Sequence, residues 1–134
     1  MKSVQVEVDP RLVEYAKWIE GEATSTLNRS RQLFHSGDRE CYAVGSRGRS
    51  YQKASDEFER LFPGIKTDAL DPKVQDPIEA LKKYVTWLNG RRTDSSQTAS
   101  MASQAGNGEA YSLSLGAVGH GDALRKLSQL FPEL

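Results

Sequence analysis

The feature that most constrains this chain is an internal repeat at an offset of 69 residues. Shifted by that distance, Trp18 and Trp87, the two tryptophans of the protein, fall into register. The other identical pairs are Leu12/Leu81, Tyr15/Tyr84, Gly21/Gly90, Thr24/Thr93, Gly37/Gly106, Glu40/Glu109, Tyr42/Tyr111, Ala54/Ala123 and the tripeptides 61–63/130–132. Two rare tryptophans and a tripeptide at one offset without a gap favour duplication over chance.

The length of the chain indicates how the two copies combine. The 134 residues match one ordinary domain, whereas a half of about 65 residues has too small a core to fold well alone. We therefore predict one domain over 1–134, with copy one at 9–65, a connecting segment at 66–75 and copy two at 76–134. No apolar run reaches the roughly 20 residues of a membrane helix, and no signal-peptide pattern begins the chain. These features predict a soluble, cytoplasmic protein without a membrane partner and leave its oligomeric state open.

Each copy begins with a helix signal. Asp-Pro at 9–10 and at 76–77 combines an N-cap residue with proline at the first helical position. Apolar residues then recur at spacings of three and four, and Gly21 or Gly90 ends each run. Serines and threonines after each glycine predict the start of a second helix. In copy two this region is rich in Ser, Ala and Gln, so the sequence leaves open whether 93–109 is a helix or a mobile loop.

The middle of each copy has the pattern of a strand. Segments 40–44 and 110–115 alternate in the strand manner, a glycine-rich turn follows each, and a last amphipathic helix ends before Pro63 or Pro132. Alternating valines predict an extra strand over 4–8. The expected fold is α+β and mostly helical. Two helix-helix-strand-helix units would pack about a pseudo-twofold axis and share a small β-sheet.

The predicted strand-to-helix turn of copy one is the strongest candidate for ligand binding. It reads Gly-Ser-Arg-Gly-Arg-Ser over 45–50, and its counterpart in copy two contains Gly119 and His120. Glycines let successive N–H groups face an anion, a helix N-terminus adds its positive end, and arginines bind phosphate oxygens. The pattern matches neither common nucleotide-binding loop, and a plain surface turn is the alternative interpretation.

Charge along the chain favours the same region. The 18 basic and 18 acidic residues cancel, which removes the general electrostatic argument for nucleic acid, but residues 23–54 carry six basic against two acidic side chains. A neighbouring helix would add two arginines, and Tyr51 or Phe34 would offer a face on which bases stack. The predicted ligand-binding residues are Arg29, Arg31, Gly45, Ser46, Arg47, Gly48, Arg49, Ser50, Tyr51, Gly119 and His120.

The inventory for catalysis and metal binding is small. The chain has two histidines, His35 and His120, and one cysteine, Cys41. A closed zinc site made of Cys and His needs four such ligands, so no metal or cofactor is predicted. A histidine beside Arg47 and Glu40 would offer acid–base chemistry, but no spacing requires them to meet, and no catalytic residue is assigned.

The sequence leaves three functions open. The first is non-enzymatic binding of nucleic acid or another phosphate-bearing ligand through the Gly/Arg turn and nearby arginines. The second is a protein–protein interaction module, such as an inhibitor or adaptor of the kind that phages and other mobile elements encode. The third is a small hydrolase or nuclease. We prefer the first because it alone uses an identifiable local feature.

Overall fold

Four helices build the part of the protein that the structure describes. A computed structural model describes residues 9–65, 76–106 and 110–133. The helices are α1 (Pro10–His35), α2 (Glu40–Leu61), α3 (Pro77–Gln104) and α4 (Ala110–Leu130). None of them is long and apolar enough to cross a membrane. These ranges contain no strand, so the predicted α+β fold with a shared sheet is wrong; the predicted strand 4–8 lies outside the described residues.

The two predicted helix starts are confirmed. The Asp9 carboxylate accepts a hydrogen bond of 2.9 Å from the backbone N–H of Arg11. Asp76 accepts from the N–H groups of Ile78 and Glu79 at 3.1 and 3.2 Å. Each carboxylate therefore satisfies backbone donors that the first helical turn leaves without a partner, and the proline that follows has no donor to satisfy.

The predicted helix ends are wrong, because α1 and α3 continue through their glycines. A Cβ added at Gly21 or Gly90 would meet nothing within 4 Å, and each glycine costs the helix only about 1 kcal/mol relative to alanine. The helices end instead just before Gly37 and Gly106, whose φ angles of 76° and 73° lie in the left-handed region. Residues 93–104 are therefore helical, which answers the question that the sequence left open for that part of copy two.

The predicted strands 40–44 and 110–115 are the first turns of α2 and α4. In α2, the buried residues Cys41, Gly45 and Gly48 follow one another at spacings of four and three, which places them on one helix face. The strand-like alternation covers only the five residues 40–44, whereas the helical spacing continues along α2. Because α2 packs against α1 along this face, the segment forms a helix and not a strand.

The aromatic core lies where α1 and α3 begin and α2 and α4 end, and we call this end the base. The rings of Tyr15 and Phe58 are 4.8 Å apart between centroids, and those of Phe58 and Tyr84 are 5.0 Å apart. The predicted apolar faces of the last helices are confirmed here. Their buried residues are Ala54, Phe58 and Phe62 in α2, and Ala123, Leu127 and Phe131 in or directly after α4.

We call α1 with α2 the first hairpin and α3 with α4 the second hairpin. Each hydrogen bond that one hairpin makes to the other in the base has an equivalent in the reverse direction. The hydroxyl oxygens of Tyr15 and Tyr84 are 2.8 Å apart. Tyr15 donates to the carbonyl of Ala123 at 3.2 Å, and Tyr84 donates to the carbonyl of Ala54 at 3.0 Å. Since both pairs of partners are separated by 69 positions, this is the pattern that a twofold relation between the hairpins produces.

Beyond the base, each hairpin continues as an arm. We call residues 23–54 the first arm and residues 92–123 the second arm. α2 and α4 pack against each other, with α1 beside α2 and α3 beside α4. A Cβ at Gly119 would lie 2.9 Å from Ser50 Cβ and 3.0 Å from the carbonyl oxygen of Arg47. Small residues therefore let α2 and α4 approach closely in the arms. In the base, large aromatic side chains lie between the helices instead.

Candidate nucleic-acid interface

The predicted Gly/Arg turn is a continuous stretch of helix. Residues 45–50 lie within α2 and residues 116–121 within α4. Inside a helix, each backbone N–H donates to a carbonyl four residues earlier, so it does not face an anion. The N-terminus of α2 lies at Glu40, which places an acidic residue in the first turn. The backbone cradle expected for phosphate is therefore absent from these two segments.

The eleven predicted site residues separate into three groups by exposure. The buried ones are Gly45, Gly48, Ser50, Tyr51, Gly119 and His120. Ser46 and Arg47 are half-buried. Arg29, Arg31 and Arg49 are exposed. The fold therefore leaves the arginines of the predicted site accessible and places its glycines at helix–helix contacts.

Arg47 belongs to an internal network. Its Nε donates to the hydroxyl of Tyr51 at 2.9 Å, and its Nη2 is paired with the Asp122 carboxylate. Tyr51 also donates to Asp122, at 2.9 Å. Burial raises the pKa of Tyr51 to about 12, and the bond to Asp122 acts in the same direction. Arg47 thus joins α2 to α4, and its charge is already compensated.

This network forms one wall of a cleft between α1, α2 and α4. The cleft has a volume of about 340 Å³ and is lined by Trp18, Glu22, Arg47, Tyr51, Asp122, Arg125, Lys126 and Gln129. We call it the first cleft. The Trp18 and Tyr51 rings meet edge to face at 6.3 Å, and the Lys126 ammonium lies 5.8 Å from the Trp18 ring centroid. The Trp18 and Tyr51 rings therefore already contact each other and Lys126, so they are not free to stack on a base.

The first arm carries a second set of cations, and these have no such partners. Arg29, Arg31, Arg39, Arg49 and Lys53 are all exposed. None of them forms an ion pair with another residue of the described ranges. Five uncompensated charges on one hairpin give a local positive field on a protein whose net charge is zero.

Exposed aromatic residues accompany these cations. Tyr42 is 62% exposed and shares one face of α2 with Arg49 and Lys53, at spacings of seven and four. Phe34, near the end of α1, is also 62% exposed and follows Arg31 by three positions. Each helix of the first arm therefore presents an aromatic ring next to cations.

Arg49 lies over the contact between the two helices of the arm. Its Nη1 is 3.2 Å from the position that a Gly45 Cβ would take, and the Oγ of Ser30 is 2.9 Å from the same point. Arg49 therefore lies beside the point where α2 meets α1 at Ser30.

The second arm lacks this surface. At the positions equivalent to Arg29, Arg31, Arg49 and Lys53, it has Thr98, Ser100, Val118 and Asp122. One basic and three acidic residues occur over 92–123. The candidate interface is thus a property of one hairpin and not of the fold.

Sequence reasoning missed Arg39, Tyr42 and Lys53 as site residues. All three lie within the basic segment that the charge count identified. The spacing that places Tyr42 and Lys53 on one face has meaning only in a helix, and a strand was predicted there.

The described residues also contain no group of three His, Cys, Asp or Glu side chains arranged to hold a metal ion.

Comparison with known protein families, with curated proteins and with solved structures finds no match for this chain.

Proposed function

We propose that this protein binds nucleic acid through its first arm. The observation that carries the proposal is the group of five exposed, unpaired cations on one hairpin of a neutral protein, next to two exposed aromatic rings. As expected from the sequence, we propose nucleic acid as the ligand and the cytoplasm as the location. The binding surface is now the exposed face of two helices and not a glycine turn.

The cations supply the general part of the affinity. Lys and Arg side chains that contact phosphates release the counterions condensed on the nucleic acid, so binding weakens steeply as salt is added. Compensated cations contribute less, because an ion pair must first be broken. Arg29, Arg31 and Arg49 are therefore better phosphate ligands than Arg47, which is held by Asp122.

The aromatic rings favour single strands. Unstacked bases pack on exposed aromatic faces, and such contacts are worth about 1–3 kcal/mol per base. Phe34 and Tyr42 are accessible for this purpose, whereas bases inside a duplex are not. We therefore expect single-stranded DNA or RNA to bind more tightly than a duplex of the same length.

Fluorescence anisotropy with labelled single- and double-stranded oligonucleotides tests the proposal. Four phosphate contacts would weaken single-strand binding roughly 50-fold between about 50 and 200 mM salt, at about 0.7 counterions per contact. In Arg31→Gln/Arg49→Gln the affinity should fall and the salt dependence should become shallower. The matched control is Lys82→Gln/Lys83→Gln, which removes the same charge from α3.

Two results would overturn the proposal. One is the absence of binding at low salt by a sample whose circular dichroism shows the helical fold. The other is an equal loss in both double variants, which would mean that total charge and not the first arm matters. Either result would favour the protein-interaction alternative, for which the exposed Phe34, Met101 and Tyr111 are the candidate contacts.

A further inference from the structure

The two arms differ at the contact between their helices. In the first arm, the Leu27 side chain fills this contact, because its Cδ2 lies 2.8 Å from the position that a Cβ at Gly48 would take. The equivalent positions of the second arm hold Ser96 and Ala117. The second arm therefore lacks the isobutyl group of leucine on α3 and gains one methyl group on α4. The exchange removes more apolar volume than it adds.

An open groove of about 350 Å³ lies between α3 and α4 at this place, and we call it the second-arm groove. Its α3 side is formed by Arg92, Ser96 and Ala99, which follow one another at spacings of four and three and so share one helix face. Its α4 side includes Ala117 and Val118. Ala99 and Ala117 are each 8% exposed, whereas Val118 is 42% exposed. The groove therefore has a floor of small apolar residues beneath an opening to solvent.

Cations line the end of the groove that is nearer the base. The Arg92 side chain lies against α4, with its Cδ 3.6 Å from the position of a Cβ at Gly121. Arg92 is exposed and forms no ion pair with another described residue. The second guanidinium is that of Arg125, which is 3.6 Å from Asp122. Because Asp122 also pairs with Arg47, this end of the groove keeps a positive charge that its own residues do not compensate.

These features define the chemistry of a ligand. Small-molecule sites commonly enclose about 300–1,000 Å³ and combine an apolar lining with a few polar groups, which describes this groove. The first arm shows which apolar group the equivalent place accepts, because Leu27 fills it with an isobutyl group. The unpaired guanidinium of Arg92 requires an anion, and a carboxylate matches its two parallel N–H donors.

We propose that the second-arm groove binds a small branched aliphatic carboxylate. The branched chain packs on Ala99, Ala117 and Val118, where it leaves water, and the carboxylate accepts hydrogen bonds from Arg92. The volume suits one short chain, which favours a small molecule over the longer apolar face of a partner helix. None of the exposed cations of the first arm lines the groove, so this site is separate from the proposed nucleic-acid surface.

Titration with isocaproate tests the site, because this acid carries the same isobutyl group as leucine. In proton–nitrogen NMR spectra, the backbone amides of Ala99, Ala117, Val118 and Gly121 should shift in a saturable manner. Isocaproamide keeps the chain without the charge, and acetate keeps the charge without the branched chain. Both should therefore bind more weakly than isocaproate.

Three variants sharpen the test. Arg92→Gln should weaken isocaproate binding roughly two- to fivefold, as for the loss of a partly exposed ion pair, and leave isocaproamide binding unchanged. Ser96→Leu/Ala117→Gly gives the second arm the two residues of the first and should abolish binding of both compounds, since leucine then fills the groove. The control Arg31→Gln/Arg49→Gln removes charge from the first arm and should keep isocaproate binding. Circular dichroism shows whether each variant is folded.

Several outcomes would overturn this site. They are the absence of saturable shifts in the wild-type protein, equal binding of isocaproate and either control compound, and unchanged isocaproate binding in Arg92→Gln or in the folded groove-filling variant. Shifts of the groove amides that depend on protein concentration without ligand would also overturn it, because a second copy of the chain would then occupy the groove. None of these measurements uses nucleic acid, so their result is independent of the proposed function.

Discussion

The first and second arms are both built from two packed helices, but their net charges have opposite sign. Each contains the end of a long helix, a glycine with a φ near 75° just after it, and the beginning of a helix that packs along the centre of the molecule. The first arm has six basic and two acidic residues, and the second has one and three. Because one helical hairpin forms with either charge, folding does not require the cations of the first arm. They are therefore available for a ligand.

The base differs from both arms, because large apolar side chains fill it. Among the described residues, five of the six fully buried aromatic side chains lie in this part of the molecule, namely Tyr15, Phe58, Phe62, Tyr84 and Phe131, and the sixth, Tyr51, lies in the first arm. Along α3 the arm contributes a single buried residue, Ala99. Most of the hydrophobic stabilisation therefore comes from the base, and the arms depend on it.

The largest expected effect comes from truncating a ring that both hairpins share. Phe58 is 1% exposed and lies between Tyr15, Phe62 and Tyr84. Phe58→Ala should lower the free energy of unfolding by about 3–5 kcal/mol, in a single transition. Urea unfolding followed by circular dichroism and tryptophan fluorescence measures it. Phe34→Ala, at an exposed ring, should change stability by less than about 0.5 kcal/mol, and separate transitions for the two probes would contradict a shared base.

A smaller effect is expected at the contact between the helices of the first arm. A Cβ at Gly48 would lie 2.8 Å from Leu27 Cδ2 and 3.2 Å from the Leu27 backbone nitrogen, whereas the equivalent position 117 already holds alanine. Gly48→Ala should destabilise the protein by about 1–2 kcal/mol, because the added methyl group overpacks the contact.

The matched control for this change is another helical glycine with open space around it. Gly21→Ala should stabilise the protein by about 0.5–1 kcal/mol, through lower backbone entropy in the unfolded chain. Thermal denaturation of both variants measures the difference. If both substitutions raised the melting temperature equally, close packing at Gly48 would be disproved.

The next effect concerns the Arg47–Tyr51–Asp122 network in the first cleft. Asp122→Asn removes the charge that holds Arg47 and Tyr51, and it should cost about 1–2 kcal/mol, reduced by the partial exposure of Arg47. The pKa of Tyr51 should fall from about 12, as measured by ultraviolet absorbance during alkaline titration. Lys53→Gln at the equivalent, exposed position should leave stability within about 0.5 kcal/mol. Equal losses from both variants would contradict a specific stabilising role for the network.

The smallest effect is the acid dependence of His120. Because the fold lowers the pKa of His120, the unfolded chain takes up this proton first as the pH falls below the ordinary value of about 6.5. Stability should therefore decrease between about pH 7 and pH 5, seen as a lower urea midpoint. His120→Gln should flatten the curve in this window. A pH dependence that is unchanged in this variant would contradict the role of His120.

Local signals predicted the helix boundaries that depend on a few neighbouring residues. Asp9 and Asp76 were identified as N-caps because capping needs only one side chain and the next backbone donors. The last apolar faces were likewise clear, because several large side chains recur at helical spacing. The strand predictions for 40–44 and 110–115 were wrong, because a run of five or six residues fits the strand period and the helix period equally well until its packing partner is known.

The candidate site was predicted in part. Charge density over 23–54 identified the arm, and three predicted arginines are exposed on it. The sequence did not show that Arg47 is paired with Asp122, 75 positions away. It also did not show that Tyr42 shares a face with Arg49, since that relation depends on helix periodicity.

The sequence by itself determined the repeat, the helix N-caps and the identity of the core residues, because each follows from residue type and spacing along the chain. The tertiary structure alone decided the role of the glycines. A glycine permits both a tight turn and a close contact between helices. Which of the two it serves depends on which atoms lie next to the position that a Cβ would occupy. At Gly48 and Gly119 that neighbour belongs to another helix, so its approach is set by the packing of the whole molecule.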